Sequence, residues 1–271
     1  MRVDFTKMHG LGNDFVVIDQ RARENVHMDR AMAAALADRN TGIGCDQVIL
    51  LEPSEVADFR MRIFNADGGE VEACGNASRA IALFHGSAAR IETGGGMLEV
   101  TPEGGGAAVA MGRPRFGWKD IPLDYGMDTS EMPLSWDGLE RPFAVNVGNP
   151  HAVFFVTATE DVELGSLGPT IERDPVFPEG VNVGVASVAS RDRISLRVWE
   201  RGAGLTRACG TGACAAVVAA VERGLTDRIV TVALPGGELV ISYDEDGQIT
   251  MRGPASESFR GSFDPADYGA A

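Results

Sequence analysis

Arg62-Ile63-Phe64-Asn65, followed after a short gap by Ala73-Cys74-Gly75-Asn76, returns half a chain length later as Arg197-Val198-Trp199-Glu200 and Ala208-Cys209-Gly210-Thr211. The type of residue matches at most positions with no insertion between the blocks. Working outward, Gly12-Asn13 upstream answers to Gly148-Asn149, and Met111-Gly112-Arg113-Pro114 downstream answers to Met251-Arg252-Gly253-Pro254. Four blocks in one order in both halves indicate an internal duplication. Its physical meaning is two similar domains, each carrying a thiol at the equivalent place, facing one another across a cleft.

The chain has 271 residues, 44% hydrophobic and 23% charged, enough apolar material for two cores of ordinary size. The halves run over 1–114 and 115–254, with a tail at 255–271 that has no counterpart after the first repeat. A formal net charge of −15 and a pI near 4.7 argue against nucleic acid or an anionic membrane surface as partner. An anionic substrate must therefore be met by local donors, such as backbone N–H groups or a particular arginine. No apolar leader opens the sequence, and its longest apolar run, 213–221, is too short to span a bilayer, so the chain reads as cytoplasmic. In that compartment Cys45, Cys74, Cys209 and Cys214 are expected as free thiols. They lack paired metal-ligand spacing, and His9, His27, His85 and His151 are scattered singly, so no metal is expected.

Short apolar or alternating runs bounded by turn residues predict strands over 15–18, 48–51, 59–64, 97–100, 107–111, 152–156, 194–199, 229–234, 238–242 and 249–251. Helices are predicted over 29–38, 76–84 and 211–223, the last stopped by Gly224. Many strands and one long helix per half make an α+β (α/β) chain. The glycine triplets at 94–96 and 104–106 read as hairpin turns, and the aperiodic stretch 112–142 reads as a linker.

Each repeated cysteine immediately precedes a predicted helix, with small residues at the helix start. Unpaired N–H groups and the positive end of the helix dipole lie there, which favours a thiolate and also holds a carboxylate. With both helix starts on one cleft, the two sets of donors hold an amino acid's α-carboxylate and a sulfur flanks Cα on either side. One cysteine then takes the α-proton as thiolate while the other, a thiol, donates from the opposite face. A pyridoxal route needs a Schiff-base lysine, and neither Lys7 nor Lys119 sits at a repeat-centred position, so no cofactor is expected.

Gly12-Asn13-Asp14-Phe15, Gly42-Ile43-Gly44-Cys45-Asp46-Gln47, Asn65-Ala66-Asp67-Gly68, Ala73-Cys74-Gly75-Asn76, Gly148-Asn149-Pro150-His151, Gly180-Val181-Asn182, Trp199-Glu200-Arg201-Gly202 and Ala208-Cys209-Gly210-Thr211-Gly212, taken in order, resemble the diaminopimelate epimerases over essentially the whole chain. The resemblance implies two pseudo-symmetric domains, each with strands wrapped around a central helix, an active site in the interdomain cleft, a C-terminal tail that rejoins the first domain, and a cytoplasmic homodimer. It implies cofactor-independent interconversion of LL- and meso-2,6-diaminopimelate for lysine and peptidoglycan synthesis. By the same match Cys74 and Cys209 are the two acid/base residues, and the backbone at Gly75, Asn76, Gly210 and Thr211 takes the α-carboxylate. Glu200 takes the α-ammonium, and His151 helps position the reacting centre. Asn13, Gln47, Asn65, Asn149, Asn182 and Arg201 line the site, several of them gripping the distal, zwitterionic end.

From the residues alone, Asn13, Asn149 and Asn182 are equally turn formers, Glu200 with Arg201 is equally a solvated ion pair, and a lone histidine is more often structural. The chain departs from the family pattern at Ala77, where glycine is common, and at Ala80, where another cysteine is frequent. Cys45 and Cys214 read as packing residues. Three other readings share some of these features: a proline or hydroxyproline racemase with the same two thiols, a redox dithiol, and a non-catalytic amino-acid binder.

Overall fold

The computed structural model describes residues 2–22, 26–72 and 74–268; Ala73 of the first thiol motif and the end of the tail, 269–271, lie outside them. The chain divides into two compact units, Met1–Val109 with Gly253–Ala271, and Ala110–Arg252.

In the first unit β1 (Val3–Gly10) turns through Leu11 and Gly12, both at positive φ, into antiparallel β2 (Asn13–Asp19). Helix α1 (Arg30–Ala37), capped by the Asp29 side chain, leads to β3 (Gln47–Glu52), which lies parallel to β2. β4 (Phe59–Asn65) returns antiparallel and carries the short β5 (Glu70–Val71) on its end. Helix α2 (Gly75–His85) crosses over to β6 (Ala89–Thr93), parallel to β4, and β7 (Gly96–Glu103) pairs with β6 through a hairpin at Gly94 and Gly95. A turn at Gly104 and Gly105 opens β8 (Gly106–Gly112). The last strand of the chain, Ser256–Phe263, pairs with β1. β2 and β3 are continuous apolar runs because both their faces are covered. Val16, Ile18, Val48 and Leu50 pack with Met32, Ala33 and Leu36 of α1, while the alternate residues Phe15, Val17, Ile49 and Leu51 are buried on the other face.

The second unit follows the same plan after the linker, whose aperiodic sequence holds only the small hairpin of β9 (Ser135–Trp136) and β10 (Leu139–Glu140). β11 (Phe143–Asn146) is antiparallel to β12 (Pro150–Phe155), α3 (Leu164–Glu172) leads to the parallel β13 (Asn182–Ser190), and β14 (Arg193–Glu200) returns with β15 (Gly204–Thr206) on its end. Helix α4 (Gly210–Glu222) crosses to β16 (Ile229–Leu234), parallel to β14, and β17 (Gly237–Tyr243) and β18 (Ile249–Pro254) follow antiparallel. The pairing order repeats strand for strand, the structural counterpart of the sequence duplication. α4 packs on β11, β12, β13, β14, β16 and β17 and is buried from Gly212 to Ala220, as a helix apolar on all sides must be. Its end is the expected one: Gly224 takes a left-handed conformation with φ 68° just past Arg223. The expected strands and the three expected helices are all present. α3 escapes the periodicity because Gly165, Gly168 and Pro169 interrupt it; packing against β13, β14 and β15 holds it in place.

Candidate active site

Strand register gathers the polar residues of the first unit at one end of its sheet. Phe15 lies beside Gln47 in the parallel pair β2–β3, and Gln47 faces Asn65 across β3–β4. Gln47 Nε2 donates to Asn65 Oδ1 at 2.9 Å, and Gln47 Oε1 is buried with no partner among the described residues. Just past β5 the Cys74 side chain caps α2, its Sγ accepting from the Ala77 N–H at 3.5 Å. Cysteine is a poor helix cap by preference; here its extended backbone, φ −148° and ψ 111°, sets the sulfur over the helix start. Cys74 Sγ lies 3.8 Å from Asn13 Oδ1, and Asn76 Nδ2 donates to the same oxygen at 3.3 Å. Thus Asn13, Cys74, Gly75 and Asn76 form one group, and Gln47 with Asn65 a second.

The second unit builds the corresponding group. His151 takes the register position of Phe15 and lies beside Asn182, and Asn182 and Glu200 end the adjoining strands β13 and β14. His151 Nε2 donates to Asn149 Oδ1 at 2.9 Å, and its Nδ1 is buried without a partner among the described residues. Burial, then the charge of Arg201, pushes the His151 pKa down to about 3, so the ring is neutral. Asn182 Nδ2 donates to Pro150 O at 2.8 Å and its Oδ1 accepts from the Arg201 N–H at 3.0 Å, which fixes the turn after Glu200. Cys209 caps α4, Sγ accepting from Gly212 N–H at 3.3 Å, with Thr211 Oγ1 3.6 Å away. Glu200 interacts with Cys209 and accepts from Thr206 Oγ1 at 2.5 Å.

One expectation needs correction, and one alternative reading falls away. The helix start does not by itself make Cys209 acidic: burial, then the negative charge of Glu200, pushes the thiol well above its usual range. The Thr211 hydroxyl and the Gly212 N–H at the helix start pull the other way but are the weaker influence at a residue only 3% exposed. Glu200 and Arg201 do not form a solvated ion pair either. Burial raises the Glu200 carboxyl, while the Arg201 guanidinium turns away to donate to Glu179 O at 2.9 Å.

Against this geometry, the sequence profile described as diaminopimelate epimerase matches residues 5–117 and 143–257. The chain belongs to the diaminopimelate epimerase family. A diaminopimelate epimerase of Erythrobacter litoralis (strain HTCC2594) is 65% identical over 268 residues, covering 99% of this chain and 100% of that protein. One from Zymomonas mobilis subsp. mobilis (strain ATCC 31821 / ZM4 / CP4) is 51% identical, covering 99% of this chain and 100% of its own. Among solved structures, a phenazine biosynthesis protein of the PhzF family from Bacillus anthracis superposes with a TM-score of 0.70 at 16% identity, covering 97% of this chain and 99% of that one. A hydroxyproline epimerase from Agrobacterium vitis, with bound trans-4-OH-L-proline, gives 0.66 at 16% identity over 100% of this chain and 94% of that one. These two share the fold.

Within this epimerase-family scaffold, side chains to which the motifs assign no role hold the named ones in place. Asp46 accepts from Asn13 Nδ2, and Arg79, fully buried on α2, donates to Asn76 Oδ1. Glu172 accepts from Trp199 Nε1 and from the Gly202 N–H, bracketing the turn that carries Glu200 and Arg201. Their signal in the sequence is faint, since a helical arginine and a loop aspartate ordinarily face solvent. Cys45, buried in the α1 core and pushed up to about 11 by that burial, and Cys214, fully buried on α4, are packing residues. No group of three or more His, Cys, Asp or Glu that could hold a metal ion occurs among the described residues, and no helix among them is long and apolar enough to cross a membrane.

Proposed function

We propose that this chain interconverts LL- and meso-2,6-diaminopimelate by proton transfer between two cysteines, with no cofactor. It is an isomerase by family, and the observation that carries the mechanism is the matched pair of thiol caps: Cys74 on α2 and Cys209 on α4, each accepting an N–H from the first turn of its helix. In this reading the two helix starts address one substrate carbon. The backbone at Gly75, Asn76, Gly210 and Thr211 binds the α-carboxylate, Glu200 the α-ammonium, and His151 positions the centre as a neutral ring. Asn13, Gln47, Asn65, Asn149, Asn182 and Arg201 line the pocket, and the unsatisfied Gln47 Oε1 supplies an acceptor for the distal ammonium.

The steps balance without any further reagent. One thiolate takes the α-proton and becomes a thiol, the bonding pair passes to the carboxylate as an enediolate, and the opposite thiol returns a proton to Cα and becomes the thiolate. A resting Cys209 held as a thiol suits the donor role. When the substrate ammonium reaches Glu200, the charge that raises Cys209 is neutralised, so binding itself readies Cys209 for the reverse direction. The enzyme is read as a cytoplasmic homodimer.

Purified protein incubated with LL-diaminopimelate in D₂O should epimerise it and incorporate deuterium at Cα. Cys74→Ala and Cys209→Ala should each lose epimerisation by about 10²–10⁴-fold, the usual weight of a positioned acid or base. Full turnover by either variant, or turnover of proline or trans-4-hydroxyproline in place of diaminopimelate, would contradict the reading. A binder or a redox dithiol would exchange no α-hydrogen.

A further inference from the structure

Between Arg79 and Asp46 runs an unbroken line of amides. Arg79 Nη2 donates to Asn76 Oδ1 at 2.9 Å, Asn76 Nδ2 donates to Asn13 Oδ1 at 3.3 Å, and Asn13 Nδ2 donates to Asp46 Oδ2 at 3.0 Å. The two ends leave no freedom of direction. A guanidinium only donates, so the oxygen of Asn76 must face it; a carboxylate only accepts, so the nitrogen of Asn13 must face that. Both ends are themselves anchored. Arg79 also donates to Gly75 O and Pro254 O at 3.4 Å each. Asp46 accepts from Arg39 Nη2 at 2.8 Å and from the Asp14 N–H, while Asp14 accepts from the Asp46 N–H in return. The remaining direction of Asn13 Oδ1 is toward Cys74 Sγ.

We propose that Asp46 and Arg79 are positioning residues that lock the Asn13 and Asn76 amides in one polarity, so that Cys74 always meets a hydrogen-bond acceptor at Asn13. An acceptor there stabilises the thiol and disfavours the thiolate, because an S–H can donate to an amide oxygen and a bare sulfur anion is repelled by it. The lock thereby sets how readily Cys74 yields its proton, through a residue that itself lies within reach of the sulfur. A flipped Asn13 would present Nδ2 to the sulfur and do the opposite. This inference rests on Cys74 being one of the two acid/base thiols, yet its test reads thiol acidity without turnover, so failure of the lock and failure of the proposed reaction are distinguishable.

The charged groups that reach Cys74 through this network are Arg79 from α2, Lys7 from β1, and Asp14, Arg39 and Asp46 around the starts of β2 and β3. Ionisable groups on the other strands packed against α2, namely Glu99 and Glu103 on β7 and Glu257 paired with Arg260 on the last strand, together with His9 on β1, are common to every variant and cancel from the comparison.

The experiment is the pH profile of iodoacetamide alkylation at Cys74, resolved by peptide mass spectrometry, in the full-length chain and in Asp46→Asn, Asn13→Ala and the double variant. Asp46→Asn removes the carboxylate end of the lock, leaving Asn76 Nδ2 to hold the Asn13 amide, and should lower the alkylation midpoint by about half a unit. In the Asn13→Ala background the same substitution should move it far less, because the amide through which Asp46 acts is gone. An equal shift in both backgrounds would reduce Asp46 to a simple negative charge and overturn the lock, as would no shift in either. Should Asp46→Asn fail to fold, Asn13→Ala and Asn13→Asp decide the matter: the first should lower the midpoint and the second raise it. Midpoints unchanged in both would sink the proposal.

Discussion

The half that carries Cys74 and the half that carries Cys209 share one strand order and one helix-capping thiol, yet they surround the sulfur differently. Around Cys74 the sulfur meets the Ala77 N–H and the Asn13 amide, and the charges of Asp46 and Arg79 stand one step behind Asn13 and Asn76. Around Cys209 a carboxylate interacts with the sulfur directly. At matching register positions the first half has Phe15 and Asn65 where the second has His151 and Glu200. The lesson is that duplication preserved the backbone device, a sulfur on a helix start, while the side chains at the matching strand ends diverged.

Making the second half resemble the first at Glu200 should have the largest consequence. Glu200→Asn copies Asn65, removes the partner proposed for the substrate ammonium, and should lower kcat/KM by roughly 10²-fold or more, the weight of a buried charged hydrogen bond. The same substitution deletes the negative charge that raises Cys209, so its alkylation midpoint should fall. Activity and thiol acidity measured on one preparation separate the two roles. An unshifted Cys209 profile would mean that burial alone sets its acidity.

His151→Phe, copying Phe15, addresses stability in acid. The folded chain keeps His151 neutral down to about pH 3, whereas an unfolded histidine binds a proton below about 6.5. Between those values the unfolded state holds the extra proton, so stability from this site is full above pH 6.5 and is lost as the pH falls toward 3. The phenylalanine variant should show a shallower fall in urea-unfolding free energy across that window, by up to one proton in slope. An unchanged slope would show that His151 takes up its proton in the folded state as readily as in the unfolded.

How much of this was legible in the sequence follows from the same contrast. Cys74 and Cys209 announce themselves because a repeat marks equivalent places, and Gly12-Asn13 and Gly148-Asn149 because turns demand particular residues. The strands β2, β3 and β12 were visible as apolar runs, since burial on both faces leaves little room for polar residues. The supports were not visible. Arg79 sits in Ser78-Arg79-Ala80 like any helical arginine, and only the fold shows it fully buried with Pro254 beside it. Asp46 stood within a recognised motif but without a role, because its partner Asn13 is distant in sequence. The acidity of Cys209 was misjudged for a related reason: a helix start is readable locally, whereas burial and the approach of Glu200 arise from tertiary packing.

The smallest expected effect is also the sharpest check on the equivalence of the two helix starts. Gly212 follows Cys209 at the step where Ala77 follows Cys74. Both N–H groups donate to the sulfur of their own cap, at 3.3 Å and 3.5 Å. A Cβ at Gly212 would lie 2.9 Å from Val198 Cγ2 and 3.2 Å from Cys209 Sγ, so either β14 or the thiol must shift to admit it. Gly212→Ala should therefore cost about 1–2 kcal/mol, the overpacking penalty less the helix-propensity gain of alanine. Ala77→Gly creates no clash but loosens the first turn of α2, and should cost about 0.5–1 kcal/mol. Reciprocal swaps that both destabilise, measured by chemical unfolding, would show that each half has fitted its own cap residue. A stabilising Gly212→Ala would show instead that β14 yields easily, and the close contact at Cys209 would then no longer explain why glycine stands in one half and alanine in the other.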